Sequence, residues 1–352
     1  MKRKLSKIRN PLAISAIFIF VFYSCCDCPD QAAETITKHH VIFDTDANNE
    51  VDDQYALAYL LFSGDHFAVE GVTVNATSSP DGYDIYSPVS DHYDEAKRVM
   101  QLCGAWGNIP LYSGAQKGFN DIKDDLDNPG FDGHEAVNFI IEQALRERDR
   151  KLVLIPVGKL TNIALALKKE PSIAEKVHIV WLGSNYPEPG EHNQDWDIPA
   201  MNYILDVNVP FDMVTVRYGK PSGTTAMMVA KTEVLRRLPG KGPNQQSPVS
   251  GRHGGEFYTF GDYAVELYKK YQSHMWGDPQ GRALFDIAAV AILKNPGWAE
   301  NYQHPAPSFV DGQWVERPDN SRKITIWEWF DIYAIPADFF ETMNNYVIAG
   351  RP

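Results

Sequence analysis

From Val41 onward, short apolar runs rich in β-branched residues alternate with stretches whose apolar residues recur at helical spacing. VIFDTD is followed by DDQYALAYLLFSG, FAVEGVTVNA by SDHYDEAKRVMQLCG, and IPLYSGA by HEAVNFIIEQALRER. KLVLIPVG then leads into LTNIALALKKE, VHIVWLGSN into IPAMNYILDV, and FDMVTVRYG into TEVLRRL. The alternation predicts βαβ units, hence an α/β single domain with a mainly parallel, Rossmann-like central sheet flanked by helices. After Pro239 the pattern breaks into KGPNQQSPVSGRHGGEF, whose Gly, Pro and polar content predicts a mobile loop of the kind that acts as a lid. Helical patterns return in YAVELYKKYQ and ALFDIAAVAILK. SFVDGQWVERPDNSRKITIWEW suggests a β-hairpin at a sheet edge, and ADFFETMNNYV a closing helix.

In such sheets ligands bind beyond the carboxyl ends of the strands, so the active site is expected there. The polar residues at those ends are Asp44 and Asp46, Asn75, Asn162, and Ser184 with Asn185. The first end is the densest: VIFDTDANNEVDDQYALAYL places Asp44, Asp46, Glu50, Asp52 and Asp53 within ten residues, between an apolar strand and an amphipathic helix. Hard oxygen ligands in this number suit a divalent cation such as calcium. Helix-starting acids account for Asp52 and Asp53, which favour the helix dipole, but not for Asp44 and Asp46 at the end of an apolar strand. A further acid, Asp286, interrupts the apolar helix pattern ALFDIAAVAIL, where an unpaired carboxylate is costly to bury and a metal would offset the cost.

Charge and cysteine usage narrow the class. MKRKLSKIRN carries five basic residues and no acid, and precedes the apolar run PLAISAIFIFVFYS, a secretory signal pattern too short to span a bilayer. Residues 1–24 are therefore expected to be a signal peptide of lipoprotein type, with Cys25 as the lipidated residue and 25–40 as a flexible tether. That makes the protein an exported lipoprotein of the bacterial envelope, periplasmic or membrane-anchored, touching the membrane through its anchor. Losing those five positive charges moves the formal charge from −13 to −18, which disfavours nucleic-acid binding. In the body of the chain Cys103 is alone, so neither a disulfide scaffold nor a cysteine metal site is available. Residues 41–352 show no linker and are read as one catalytic domain; whether copies associate into a homo-oligomer stays open.

The acidic loop resembles the mark of the inosine-uridine-preferring nucleoside hydrolases: a strand ending in Asp-x-Asp, a short loop, and an Asp-Asp pair opening a helix. The likeness continues in family order through GVTVNA, IPLYSGA, PVGKLTNIALAL, MNYILD and LFDIAAVAIL. It implies a calcium-dependent hydrolase of ribonucleosides in which Asp46 contacts the metal and deprotonates the attacking water. Asp53, Asp286 and the Val157 carbonyl would be further metal ligands. Asp52, Asn75 and Asn202 would hold the ribose, and Asp44 would support the site from behind.

Two positions depart from the family pattern. A histidine normally precedes the last aspartate and helps protonate the leaving base, but Phe285 stands there. The glutamate expected two residues before the sugar-binding asparagine is Ala200, with Asp195 or Asp197 as candidate replacements. His253 in the expected lid is taken as the leaving-group acid, with His192 and His274 as other candidates. Trp196, Tyr258 and Trp276 are candidate stacking partners for a base. Two other functions stand beside this one: a non-catalytic lipoprotein that captures a sugar or ribosyl ligand, and a haloacid dehalogenase-like phosphohydrolase matching Asp44-Thr45-Asp46. The immediate Asp52-Asp53 pair argues against the second of these.

Overall fold

In the computed structural model, which describes residues 37–49, 51–77, 87–271 and 275–351, the six expected strands form the frame. They are β1 (His39–Thr45), β2 (Phe67–Val74), β3 (Leu111–Ser113), β4 (Leu152–Pro156), β5 (Val177–Leu182) and β6 (Phe211–Val214). All six are parallel, in spatial order β3-β2-β1-β4-β5-β6. Strand Lys323–Glu328 extends the sheet parallel to β6, and Glu300–Pro305 closes that side antiparallel, giving eight strands.

Alternation along β1 explains the layering. Val41 and Phe43 face one core with helix α1 (Asp52–Leu61), whereas Ile42 faces the other with helices His134–Leu145 and Thr161–Lys169. A parallel sheet buried on both faces needs apolar residues at consecutive positions, which is why VIF is uniformly apolar. All ten residues of α1 are buried, so it is a core helix covered by the outer helices Phe260–Lys270, Ile287–Lys294 and Ala334–Asn344.

Three boundaries differ from the sequence reading. His39 and His40, assigned to the tether, pair with Phe67 and Ala68 as the start of β1; the signal segment and Cys25 lie outside the described residues. The segment after Pro239, expected to be a mobile loop, contains a small antiparallel hairpin, Val249–Ser250 with Glu256–Phe257. It is tied to helix α2 (Val89–Leu102) by Arg98 Nε, which donates to the Ser250 carbonyl at 2.6 Å. The C-terminal hairpin is Ser308–Val310 with Gln313–Val315, turning on Asp311-Gly312 at φ 50° and 76°. KITIWE leaves it to join the main sheet. Cys103 is buried and free. Among the described residues no helix is long and apolar enough to cross a membrane.

Candidate active site

The strand order reverses between β1 and β4, opening the crevice where ligands bind in such sheets. Asp44 and Asp46 leave the end of β1 and Val157 leaves the end of β4, joined by the Val157 N–H donating to the Asp44 carbonyl at 2.9 Å. Asp44 itself is held on three sides. Its Oδ2 accepts from Thr73 Oγ1 (2.6 Å) and Asn162 Nδ2 (2.7 Å), and its Oδ1 accepts from Asn75 Nδ2 (2.6 Å). Asn162 also binds the Ala115 N–H and the Val74 carbonyl, so Asp44 and Asn162 stitch three strand ends together beneath the cleft. Gly158 is needed here for space, because a Cβ on it would sit 2.8 Å from Asp46 Oδ1.

Above this frame lies an open cleft whose acidic wall is Asp46, Asp52, Asp53 and Asp286, each at most 4% exposed, with Val157 beside them. Thr45 Oγ1 donates to Asp53 Oδ1 at 2.6 Å and fixes it over the strand end. Asp286 starts helix Ile287–Lys294 without capping it, leaving its carboxylate to the cleft. Carboxylate oxygens of Asp52, Asp53 and Asp286 come within 4.8 Å of one another, close enough to share a metal ion.

Burial raises the proton affinity of each of these acids, and repulsion by a neighbouring carboxylate adds to it at Asp46, Asp52 and Asp286. Asp44 is pushed up to about 6 by burial, and Asp53 to about 6 by burial. Asp52 rises to about 8 through burial and then the Asp53 charge. Asp46 and Asp286 are driven well above the carboxylate range, first by burial, then by Asp53 for Asp46 and by Asp52 for Asp286.

The opposite wall was largely missed from sequence. It comprises Glu191, His192, Asn193, Tyr218 and Phe285. Glu191 caps the short helix His192–Asp195, with Oε2 accepting from the Ser184 and Gln194 N–H groups and Oε1 from that of Asn193. Asn193 Nδ2 donates to the Val157 and Leu182 carbonyls at 2.9 and 3.0 Å. The Glu-x-Asn spacing sought at Ala200 and Asn202 is thus met at Glu191 and Asn193, and the available signal was GEHNQ following the β5 strand.

Several expected residues are elsewhere. Asn202 is engaged with the C-terminal hairpin, its amide donating to the Phe309 carbonyl (2.8 Å) and accepting from the Phe309 N–H (2.9 Å), so it is not a cleft residue. Ala200 is buried core. Asp197 spends its carboxylate on the Ala200 and Phe119 N–H groups and Thr161 Oγ1, and Asp195 is exposed. Asn75 lies behind the acidic wall on Asp44, with its buried Oδ1 unpartnered. His253 is exposed on the outer hairpin, where Arg252 Nε donates to its ring, and it does not line the cleft. Arg252 is the residue of that hairpin that reaches inward, donating to the Asn48 carbonyl at 3.0 Å. Trp196, Tyr258 and Trp276 are outside the cleft lining, which takes its aromatic character from Tyr218 and Phe285. Glu50 and His274 lie outside the described residues.

Comparisons with known proteins agree with this geometry. An uncharacterized protein of Schizosaccharomyces pombe is 24% identical over 331 residues, covering 87% of this chain and 94% of its own. The inosine-uridine preferring nucleoside hydrolase of Crithidia fasciculata is 40% identical over 76 residues, 21% of this chain and 23% of that enzyme. A plant nucleoside hydrolase structure superposes with a TM-score of 0.66 over 88% of this chain and 99% of its own, at 17% identity, a likeness of fold. The family profile described as inosine-uridine preferring nucleoside hydrolase matches residues 41–326, and with the fold and the acidic cleft in place the chain belongs to that family.

Proposed function

We propose that this protein hydrolyses the N-glycosidic bond of a ribonucleoside, using calcium in the acidic cleft and Asp46 as the base. The observation that carries the reading is one cleft lined by Asp46, Asp52, Asp53, Asp286 and Val157, its four acids all buried and all with raised proton affinity, and three of them, Asp52, Asp53 and Asp286, within metal-sharing distance. Such a cluster fits a hard divalent cation. The donors are all oxygen, and the carboxylates are too many for the nearby Arg282 to neutralise, its Nη2 lying 3.3 Å from Asp52. Calcium held by Asp46, Asp53, Asp286 and the Val157 carbonyl would keep the carboxylates ionised and polarise the attacking water. Asp46 then takes the water's proton on its carboxylate oxygen. In this reading Asp52 accepts from the ribose hydroxyls, as does the Asn193 amide oxygen, since its Nδ2 is engaged by the Val157 and Leu182 carbonyls.

The test is a screen of purine and pyrimidine ribonucleosides with and without a chelator, read as released ribose. Chelator-sensitive release from at least one ribonucleoside is expected. Tight binding of nucleosides without any release would replace the reading with a capture protein. We further propose export and lipid anchoring at Cys25, from the basic and apolar N-terminal sequence; palmitate labelling that persists in Cys25→Ala would contradict it.

A further inference from the structure

Breaking an N-ribosyl bond sends its electron pair onto the base nitrogen, and a proton delivered there contributes about 10²–10⁴-fold. Phe285 has none to give. Among the described residues the histidine lining the cleft is His192. Its backbone is clamped on both sides. Glu191 before it accepts three backbone N–H groups, and Asn193 after it is pinned to the Val157 and Leu182 carbonyls. The imidazole rests edge-on against Trp196, with centroids 6.2 Å apart at 74°.

Beside it, Tyr218 and Phe285 form an aromatic corner, 6.2 Å apart at 80°. Tyr218 follows Arg217, a non-glycine residue held in the left-handed region at φ 52° by its guanidinium bonds to the Tyr186 carbonyl and Glu328. Backbone strain of this kind persists where the surroundings enforce it, commonly at binding sites. The Tyr218 phenol, on a residue 38% exposed, is a hydrogen-bond donor at neutral pH.

We propose that His192 is the proton donor to the departing base, which lies against the Tyr218–Phe285 corner; the inference rests on the hydrolase reading above. As the water oxygen bonds to C1′, its proton passes to Asp46. The C1′–N bond breaks with its electrons moving to the base, and the proton on the His192 imidazolium goes to that base. Solvent then reprotonates His192 and deprotonates Asp46, so one water is added across the bond. Asp46 and His192 follow different strands, β1 and β5, so one reactant does not displace the other.

The experiment compares wild type, His192→Ala and His192→Gln on inosine, uridine and p-nitrophenyl riboside, whose leaving group departs without a proton. The kcat on nucleosides should fall about 10²-fold or more, and on the nitrophenyl substrate less than about threefold. His253→Ala should retain both rates. The glutamine variant keeps the volume and carries the test if the alanine variant folds poorly. Equal losses on both substrate types, or no loss on either, overturn the role of His192. Wild-type cleavage of the nitrophenyl substrate alone also overturns it, because no base is then being protonated. Cleavage of none of the three removes the hydrolase reading itself.

Discussion

Arg282 Nη2 lies 3.3 Å from Asp52 Oδ1, with both side chains buried and the guanidinium stacked 4.7 Å from the Tyr271 ring centroid. Removing one partner of a buried ion pair leaves the other charge uncompensated, at about 3–5 kcal/mol. At pH 9, above the value of about 8 to which Asp52 is raised, Arg282→Met should lose stability of that order in chelator and regain part of it in calcium, measured by urea unfolding. Unchanged midpoints in both conditions would show that the pair contributes nothing.

Asp46→Asn should fold and fail to turn over. The amide occupies the same volume but accepts no proton from water, so kcat should drop by at least about 10²-fold with the far-ultraviolet spectrum unchanged. Hydrolysis at the wild-type rate would remove Asp46 as the base.

The acidic wall should make calcium-free stability fall as pH rises. Burial holds Asp53 at about 6 and Asp52 at about 8 in the fold, above their unfolded values. The folded chain then binds more protons than the unfolded one between roughly pH 4 and 8, and ∂ΔG/∂pH is negative for these groups. Their contribution is fully present below the unfolded pKa and lost on passing through the folded values. The Tm gained on adding calcium should accordingly be larger at pH 8 than at pH 5, by differential scanning fluorimetry. A calcium shift independent of pH would contradict it.

Gly158→Ala is a steric probe of the same acid. The new Cβ would meet Asp46 Oδ1 at 2.8 Å and Asn75 Nδ2 at 3.2 Å, forcing the carboxylate aside. A misplacement near 1 Å can cost about 10²-fold in rate. The expected outcome is a kcat loss of about that size with a Tm drop of only a few degrees; wild-type kcat would mean the carboxylate relocates freely.

The alternation of strands and helices and the acidic loop were legible because both are local. Period and turn chemistry place Asp44, Asp46, Asp52 and Asp53 relative to one strand and one helix. The other wall was not, because the loop after β5 has no periodicity to fix its register. MNYILD therefore drew the sugar-binding assignment to Asn202, whose partner, Phe309, lies more than a hundred residues away. His253 failed for a related reason: a Gly-rich sequence announces a turn but not which way its side chains point. The insertion of KITIWE beside β6 likewise depends on a long-range pairing that hydrophobic pattern alone does not choose.

Asp44 offers its carboxylate to Thr73, Asn75 and Asn162, and an asparagine there would turn one acceptor into a donor facing donors. Scaffold and chemistry therefore reside on separate acids. The carboxylate that holds the strand ends together spends three of its roughly four lone pairs on the scaffold, while those that line the cleft bear little of the sheet. Replacements along the rim, such as phenylalanine at 285, can then change what leaves the sugar without loosening the ground on which the sugar sits.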